Sequence, residues 1–246
     1  MEIDFAALDR REVELSIIDG IDRQVGGRLV TANLDILRQC RMDSGSAGLV
    51  HGADLVVADG TPIVWAARLA RRPLPERIAG SDLIWSLSRR AADTGHSVFL
   101  LGGSADCAER AAHVLAESSV GLKVAGWICP PMGFERSPDV VASVADALAD
   151  AEPDIVFVGL GFPKQDFVIE QIRGALPTSW FIGVGVSIDV VGGKVRRAPT
   201  WTHRLGLEWM YRLTQEPRKL ARRYLIDDLP FASVLIGWAL RRRFAG

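Results

Sequence analysis

A chain of 246 residues that is 48% hydrophobic and carries a net charge of only -1 is long enough for one large domain, or a domain plus an appendage, with a sizeable core, which excludes a disordered chain. The near-neutral total conceals a gradient, because residues 196–246 hold eleven Lys plus Arg against four Asp plus Glu, giving +7 there and -8 elsewhere. A basic C-terminal fifth on an acidic body suits an anionic partner such as lipid phosphates or a diphosphate, although a solvated helix face has the same composition.

The first twenty residues, MEIDFAALDRREVELSIIDG, lack the basic-then-apolar order of a secretory signal. Within them the run 13–18 reads as an extra strand. From residue 28 onward, short apolar runs alternate with amphipathic stretches. Strands are expected at 28–31, 54–58, 97–102, 122–127, 154–160 and 179–185, and helices at 33–42, 62–71, 81–94, 105–118, 138–150 and 164–175. Ser81–Asp82 ahead of LIWSL, and Ser137 ahead of Pro138, mark helix starts. The alternation predicts an α/β, Rossmann-like fold: a mostly parallel sheet with helices on both faces.

After Gly193 the character changes. Leu205, Trp209, Leu213, Leu220 and Tyr224 recur at helical spacing with Arg and Lys between them, and an apolar run at 231–240 ends in Arg241-Arg242-Arg243. This predicts a basic, aromatic-rich C-terminal helical appendage over 196–246 on an α/β domain of 1–195. The run 231–240 is about half the roughly 20 residues a spanning helix needs, so it could lie along a membrane face but not cross. Cys40, Cys107 and Cys129 show no metal-ligand spacing and read as reduced, mostly buried thiols of a cytosolic protein.

In an open parallel sheet the ligand lies beyond the carboxyl ends of the strands. Those ends hold Thr31 and Asn33, Asp59-Gly60, Gly102-Gly103, 159–165 and 185–189. Asp59 is placed equally well to accept a proton from a substrate hydroxyl or to cap the helix that follows. The pairs Gly159/Gly161 and Gly183/Gly185 each open a dinucleotide fingerprint, but Lys164 and Ile188 stand where the third glycine belongs. The glycines permit close approach of a ligand, or simply make turns. There is no D-x-D triplet to hold a cation on a diphosphate, so fixed cations or helix N-termini would have to take up leaving-group charge. Arginine suits that role, with Arg77, Arg196, Arg197, Arg212, Arg218, Arg222 and Arg223 as candidates. The aromatics among the last of these fit a membrane interface, single-strand nucleic-acid stacking, or plain packing.

Taken together, TANLDIL (31–37), ADLVVADGTPIV (53–64), PERIAGSDL (75–83), VFLLGG (98–103), PP-x-GF (130–134), PDIVFVGLGFPKQDF (153–167), GVGVSIDVVGGKVRRAPTW (183–201) and LGLEWMYRLTQEPRKLARRYL (205–225) resemble the WecG/TagA/CpsF glycosyltransferases, also called glycosyltransferase family 26. Eight segments in order carry the likeness across most of the chain. The resemblance implies a cytoplasmic, inverting, metal-independent enzyme without a cofactor, peripheral to the inner face of the membrane. It implies a UDP-sugar donor, often carrying N-acetylmannosamine or its uronic acid, and a polyprenyl-diphosphate-linked sugar acceptor in surface-polysaccharide or teichoic acid assembly. Nucleic acid is not an expected partner, and a homo-oligomer stays open.

Carried over by position, Asp59 corresponds to the catalytic base and Thr31 and Asn33 to substrate-pocket residues. Arg77, Gln165 and Asp189 correspond to donor or pocket contacts, and Gly60, Gly103, Gly161, Lys164 and Gly185 are grouped with them. Arg197, Arg212, Arg218, Arg222 and Arg223 would meet the diphosphate and the membrane. Asp166 departs from the Glu usual after P-K-Q, and Lys219 from a common Arg. Two rivals belong to other classes. A dinucleotide-dependent oxidoreductase is disfavoured by the incomplete glycine fingerprints, and a non-catalytic membrane adaptor would leave Thr31, Asn33, Asp59 and Gln165 without work.

Overall fold

The computed structural model describes residues 3–195, 208–215, 217 and 221–245. Six parallel strands form one sheet in the order β2-β1-β6-β5-β3-β4. They are β1 (Gly27–Ala32), β2 (Leu55–Ala58), β3 (Ser97–Gly102), β4 (Lys123–Ile128), β5 (Ile155–Gly159) and β6 (Trp180–Gly183). The intervening helices are α1 (Arg10–Asp22), α2 (Leu34–Met42), α3 (Ser44–His51), α4 (Thr61–Leu69), α5 (Gly80–Thr94), α6 (Cys107–Ser118), α7 (Pro138–Ala151), α8 (Lys164–Ile172) and α9 (Ser187–Val191). The expected α/β architecture is the observed one.

Helices on both faces explain why the strands read as unbroken apolar runs. Every strand but the outer β4 is buried along almost its whole length. On one face α1, α5, α6 and α9 set Ile17, Leu83, Leu115 and Ile188 against Leu29, Leu100, Phe157 and Ile182. On the other, α7 and α8 bring Val144 and Ile169 onto Phe99, Val156 and Phe181, while α2 and α3 bring Ile36 and Val50 onto Val30 and Val56.

The strand expected at 13–18 is part of helix α1. Asp9 and Glu12 form a capping box, and Val13, Ile17 and Ile21 recur every four residues on the buried side. Helix α3 had no expectation at all; Asp43 starts it, accepting a 2.7 Å hydrogen bond from the Ser46 amide. Nor does Ser81–Asp82 cap α5, which begins one residue earlier behind Ala79 with no side-chain cap. Cys40 and Cys107 are buried and Cys129 is exposed; all three are free thiols. Burial pushes the Cys40 thiol up to about 11.

The C-terminal helix, Leu229–Ala245, follows a π-helical turn at Arg222–Asp228, with Pro230 accommodated in its first turn. It packs on the body: Phe231 and Leu235 join Leu37, Ala58, Ile63 and Leu74 beside α2 and α4. Buried Asp228 lies 3.7 Å from Arg38, which also contacts Asp35 at 2.7 Å and so ties the π-helical turn to α2. The boundary expected at 195/196 falls where the described residues pause. Among the described residues no helix is long and apolar enough to cross a membrane.

Candidate active site

Because all six strands run the same way, all their carboxyl ends meet at one edge. After β1 the chain leaves for the face covered by α2, and after the neighbouring β6 for the face covered by α9. Adjacent connections that part to opposite faces open a crevice at the strand ends, which is where ligands of such sheets lie.

Asp59 follows β2 at this edge, and its amide donates to the Ala32 carbonyl at 2.9 Å, holding it beside the end of β1. The N-cap of α4 is Gly60 rather than Asp59. The Asp59 carboxylate is held by Arg77, with Nη1 3.1 Å from Asp59 Oδ1. The other prong, Nη2, lies 3.2 Å from Asp82 Oδ2. Arg77 reaches this position because the chain after α4 returns to the strand end, where the Ile78 amide donates to the Ala58 carbonyl at 2.8 Å. The Asp59 side chain is 26% exposed, so the network fixes its direction while a substrate can still reach it. Asp82 is the member that sequence reasoning missed. Its place in the first helical turn looked like capping, and only the folded loop reveals the shared arginine.

At the seam between β1 and β6, the buried Thr31 hydroxyl donates to the Gly183 carbonyl at 3.1 Å. Gln165, buried in the first turn of α8, accepts from the Gly185 amide at 3.2 Å. A Cβ on Gly183 would come within 2.3 Å of Gln165 Nε2, so any side chain there would push the glutamine from this position. Gly161 and Gly185 both have positive φ, and a Cβ on either would meet nothing within 4 Å among the described residues. These two turns expose backbone to open space beside Gln165.

The remaining expected residues are placed less uniformly. Asn33 caps α2 by accepting from the Ile36 amide at 3.0 Å. Gly60 is extended, with ordinary room for a Cβ. Gly103, with positive φ, packs against Ile188, and a Cβ there would clash with it at 2.7 Å. Asp189 of α9 accepts from both the amide and the hydroxyl of Ser104 at 2.8 and 2.6 Å, fastening the turn after β3. Lys164 lies 3.9 Å from Glu135. Of the C-terminal arginines, Arg222 begins the π-helical turn and is exposed. Arg197 and Arg218 lie outside the described residues, as do the side chains of Arg212 and Arg223. Among the described residues no group of three His, Cys, Asp or Glu side chains is placed to hold a metal ion.

Another arginine network is centred in the interior, with Glu170 at its partly exposed edge. Arg28, fully buried, contacts Asp166 at 3.1 Å and Glu170 at 3.2 Å, and also donates to the Leu49 carbonyl. Asp166 Oδ2 is buried without a hydrogen-bond partner among the described residues. Burial pushes the Asp166 carboxyl up to about 6, with the Arg28 charge opposing the rise.

A parallel α/β body with an arginine-held carboxylate at the carboxyl edge is the framework of an enzyme whose polar ligand lies across the strand ends. The chain matches the model of the glycosyl transferase WecG/TagA/CpsF family over residues 1–245. Similar curated proteins include an N-acetylglucosaminyldiphosphoundecaprenol N-acetyl-beta-D-mannosaminyltransferase of Bacillus spizizenii strain W23, 35% identical over 209 residues that cover 82% of this chain and 76% of the relative. A protein of the same name from Bacillus subtilis strain 168 is 33% identical over 202 residues, covering 82% of this chain and 77% of the relative. The chain therefore belongs to the WecG/TagA/CpsF glycosyltransferase family, as its motifs led one to expect.

Proposed function

We propose that this glycosyltransferase moves an N-acetylmannosamine-type sugar, its uronic acid or a hexose from a UDP-sugar to a saccharide carried on polyprenyl diphosphate, in surface-polysaccharide or teichoic acid assembly. The names of its relatives support the sugar and the lipid-linked acceptor. The observation that carries the mechanism is the Asp59 carboxylate, held by Arg77 at the strand ends and still open to solvent.

Asp59 removes the proton from the acceptor hydroxyl as that oxygen attacks the anomeric carbon. The C1–O bond to UDP breaks on the opposite face, so the configuration inverts. The sugar and nucleotide lie across the seam formed by Thr31, Asn33 and Gln165, with the backbone at Gly161 and Gly185 approaching them closely. Arg197, Arg212, Arg218, Arg222 and Arg223 supply fixed positive charge for the diphosphates, a task suited to a guanidinium fork.

The enzyme works at the inner membrane surface, and the C-terminal helix supports this placement. Trp238, Leu240 and Phe244 are exposed there beside Arg241–Arg243, and the Arg242 guanidinium lies 5.4 Å from the centre of the Trp238 ring. Aromatic and cationic side chains together are what interfacial helices use to sit at lipid headgroups. The decisive experiment screens UDP-sugars against a lipid-diphosphate N-acetylglucosamine acceptor and measures released UDP. Acceptor-dependent release with one donor is the expected result; no release with any donor would defeat the proposal.

A further inference from the structure

The C-terminal helix does not close flush onto the body. Between it, α2, α4 and the N-terminal segment lies a cavity of about 660 Å³. One wall is the stripe Ile63, Ala66, Ala67 and Ala70, at i, i+3, i+4 and i+7 of the α4 run. The facing wall is Phe231, Val234, Leu235 and Trp238, the same spacing on the C-terminal helix. Two apolar stripes that face one another would ordinarily interdigitate. Here three of the four α4 positions are alanine, and the short side chains leave the gap open.

The lining defines what can enter. Its charged residues are Asp4, Arg41 and Arg72, and all three are exposed, at the mouth rather than inside. A cavity walled this way is predominantly apolar and takes an apolar guest, while two arginines against one aspartate leave the mouth net positive. Its position is as telling as its chemistry. Helix α4 begins two residues after Asp59, so Ile63 stands about one helical turn from the candidate base. From there the stripe runs on to Ala70, a rise of about 10 Å.

Building on the proposed function, we propose that this cavity holds part of the isoprenoid chain of the lipid-linked acceptor. The guest is an apolar chain whose one polar end must come to the carboxyl edge while the rest leads away from it along α4. An acyl chain of a bulk membrane lipid has no reason to end beside a catalytic carboxylate. The exposed apolar residues Val234 and Trp238 of the C-terminal helix continue the cavity outward toward the surface suited to a bilayer.

The test uses the full chain and the variant A67W, which fills the gap from its α4 wall. Calorimetry compares geranylgeranyl diphosphate with inorganic pyrophosphate, which offers the anion alone. Geranylgeranyl diphosphate is expected to bind at least about tenfold more tightly than pyrophosphate, and A67W to weaken it about tenfold while leaving pyrophosphate within about twofold. In the transfer assay A67W raises KM for a long-chain prenyl acceptor and leaves KM for a chain-free acceptor unchanged. Equal binding of the two anions, or indifference of prenyl binding to A67W, overturns the inference.

If A67W fails to fold, V234R at the exposed wall takes its place with the same expectations. Vesicles of phosphatidylglycerol and phosphatidylcholine without any prenyl lipid are the third arm, and a loss of vesicle binding equal to the loss of prenyl binding would make the cavity a bulk-lipid site and also overturn it. Sugar transfer by a protein that does not bind the prenyl probe sinks this inference alone. Prenyl binding as described, without consumption of any UDP-sugar, sinks the proposed function instead.

Discussion

Several arginines of the molecule lie between two carboxylates, and two of them make an instructive pair. At the strand ends Arg77 lies 3.1 Å from Asp59 and 3.2 Å from Asp82; inside, Arg28 lies 3.1 Å from Asp166 and 3.2 Å from Glu170. The distances match and the surroundings do not. Asp59 keeps a quarter of its side chain in solvent, whereas Asp166 has none. Removed from water, such a group spends its attraction on offsetting desolvation and becomes part of the framework. Left at an edge, it stays accessible to a substrate proton while its partner fixes its direction. Contact geometry alone therefore does not distinguish a candidate catalytic carboxylate from a structural one; access does.

The contrast can be broken in four ways. Asp59→Asn keeps the shape and removes the proton acceptor, so turnover should fall by about 10²–10⁴-fold with UDP affinity nearly unchanged, measured by UDP release and calorimetry. Unaltered turnover would take the base role away from Asp59. Arg28→Met should instead act on folding, lowering stability by about 3–5 kcal/mol in urea denaturation because Asp166 is left buried without its partner, and the loss should shrink in acid as Asp166 takes up a proton. Turnover per folded molecule should fall much less than in Asp59→Asn, since Arg28 reaches the crevice only through Asp166 and its neighbour Gln165.

Arg77→Lys retains charge but loses the fork that spans two carboxylates. A turnover loss of up to about 10²-fold is expected, with stability almost intact. A variant as stable and as active as the parent would show that the direction of Asp59 does not depend on Arg77.

The smallest effect concerns pH. Folding raises the Asp166 carboxyl from 3.8 to about 6, so the folded chain holds this proton more tightly than the unfolded one. Its contribution to stability is therefore full below about pH 4 and is lost as pH rises through about 6, amounting to roughly 2–3 kcal/mol. Denaturation midpoints between these limits should show that downward slope in the parent and lack it in Asp166→Asn. A carbon chemical-shift titration of Asp166 should have its midpoint near 6.

Much of this architecture could be read from the sequence because burial on both faces leaves a simple trace. A strand such as Ile155–Gly159 is apolar at nearly every position, and its neighbours repeat the pattern. Helix α1 was not legible in the same way, since ELSII is too short a run to separate period two from period 3.6; the capping box at Asp9 and Glu12 was the available signal. Helix α3, with two glycines and two serines in eight residues, has little propensity of its own and exists because Val50 reaches the core.

At the site, Asp59, Thr31 and Gln165 could be placed from the strand ends alone. What holds them could not, because the contact between Arg77 and Asp59 depends on the path of a loop after α4. Ser104 as the partner of Asp189, and Glu135 as that of Lys164, are likewise contacts between connections that no spacing rule brings together.

Gln165 and Asp166 are consecutive residues in the first turn of α8, yet one braces the backbone of the crevice and the other is locked to Arg28. A helix turn is stiff enough that neither can shift without the other. A genetic selection for inactive enzyme should accordingly return substitutions at Arg28 and Asp166, and a map of such hits would trace the foundation under the crevice as well as its walls.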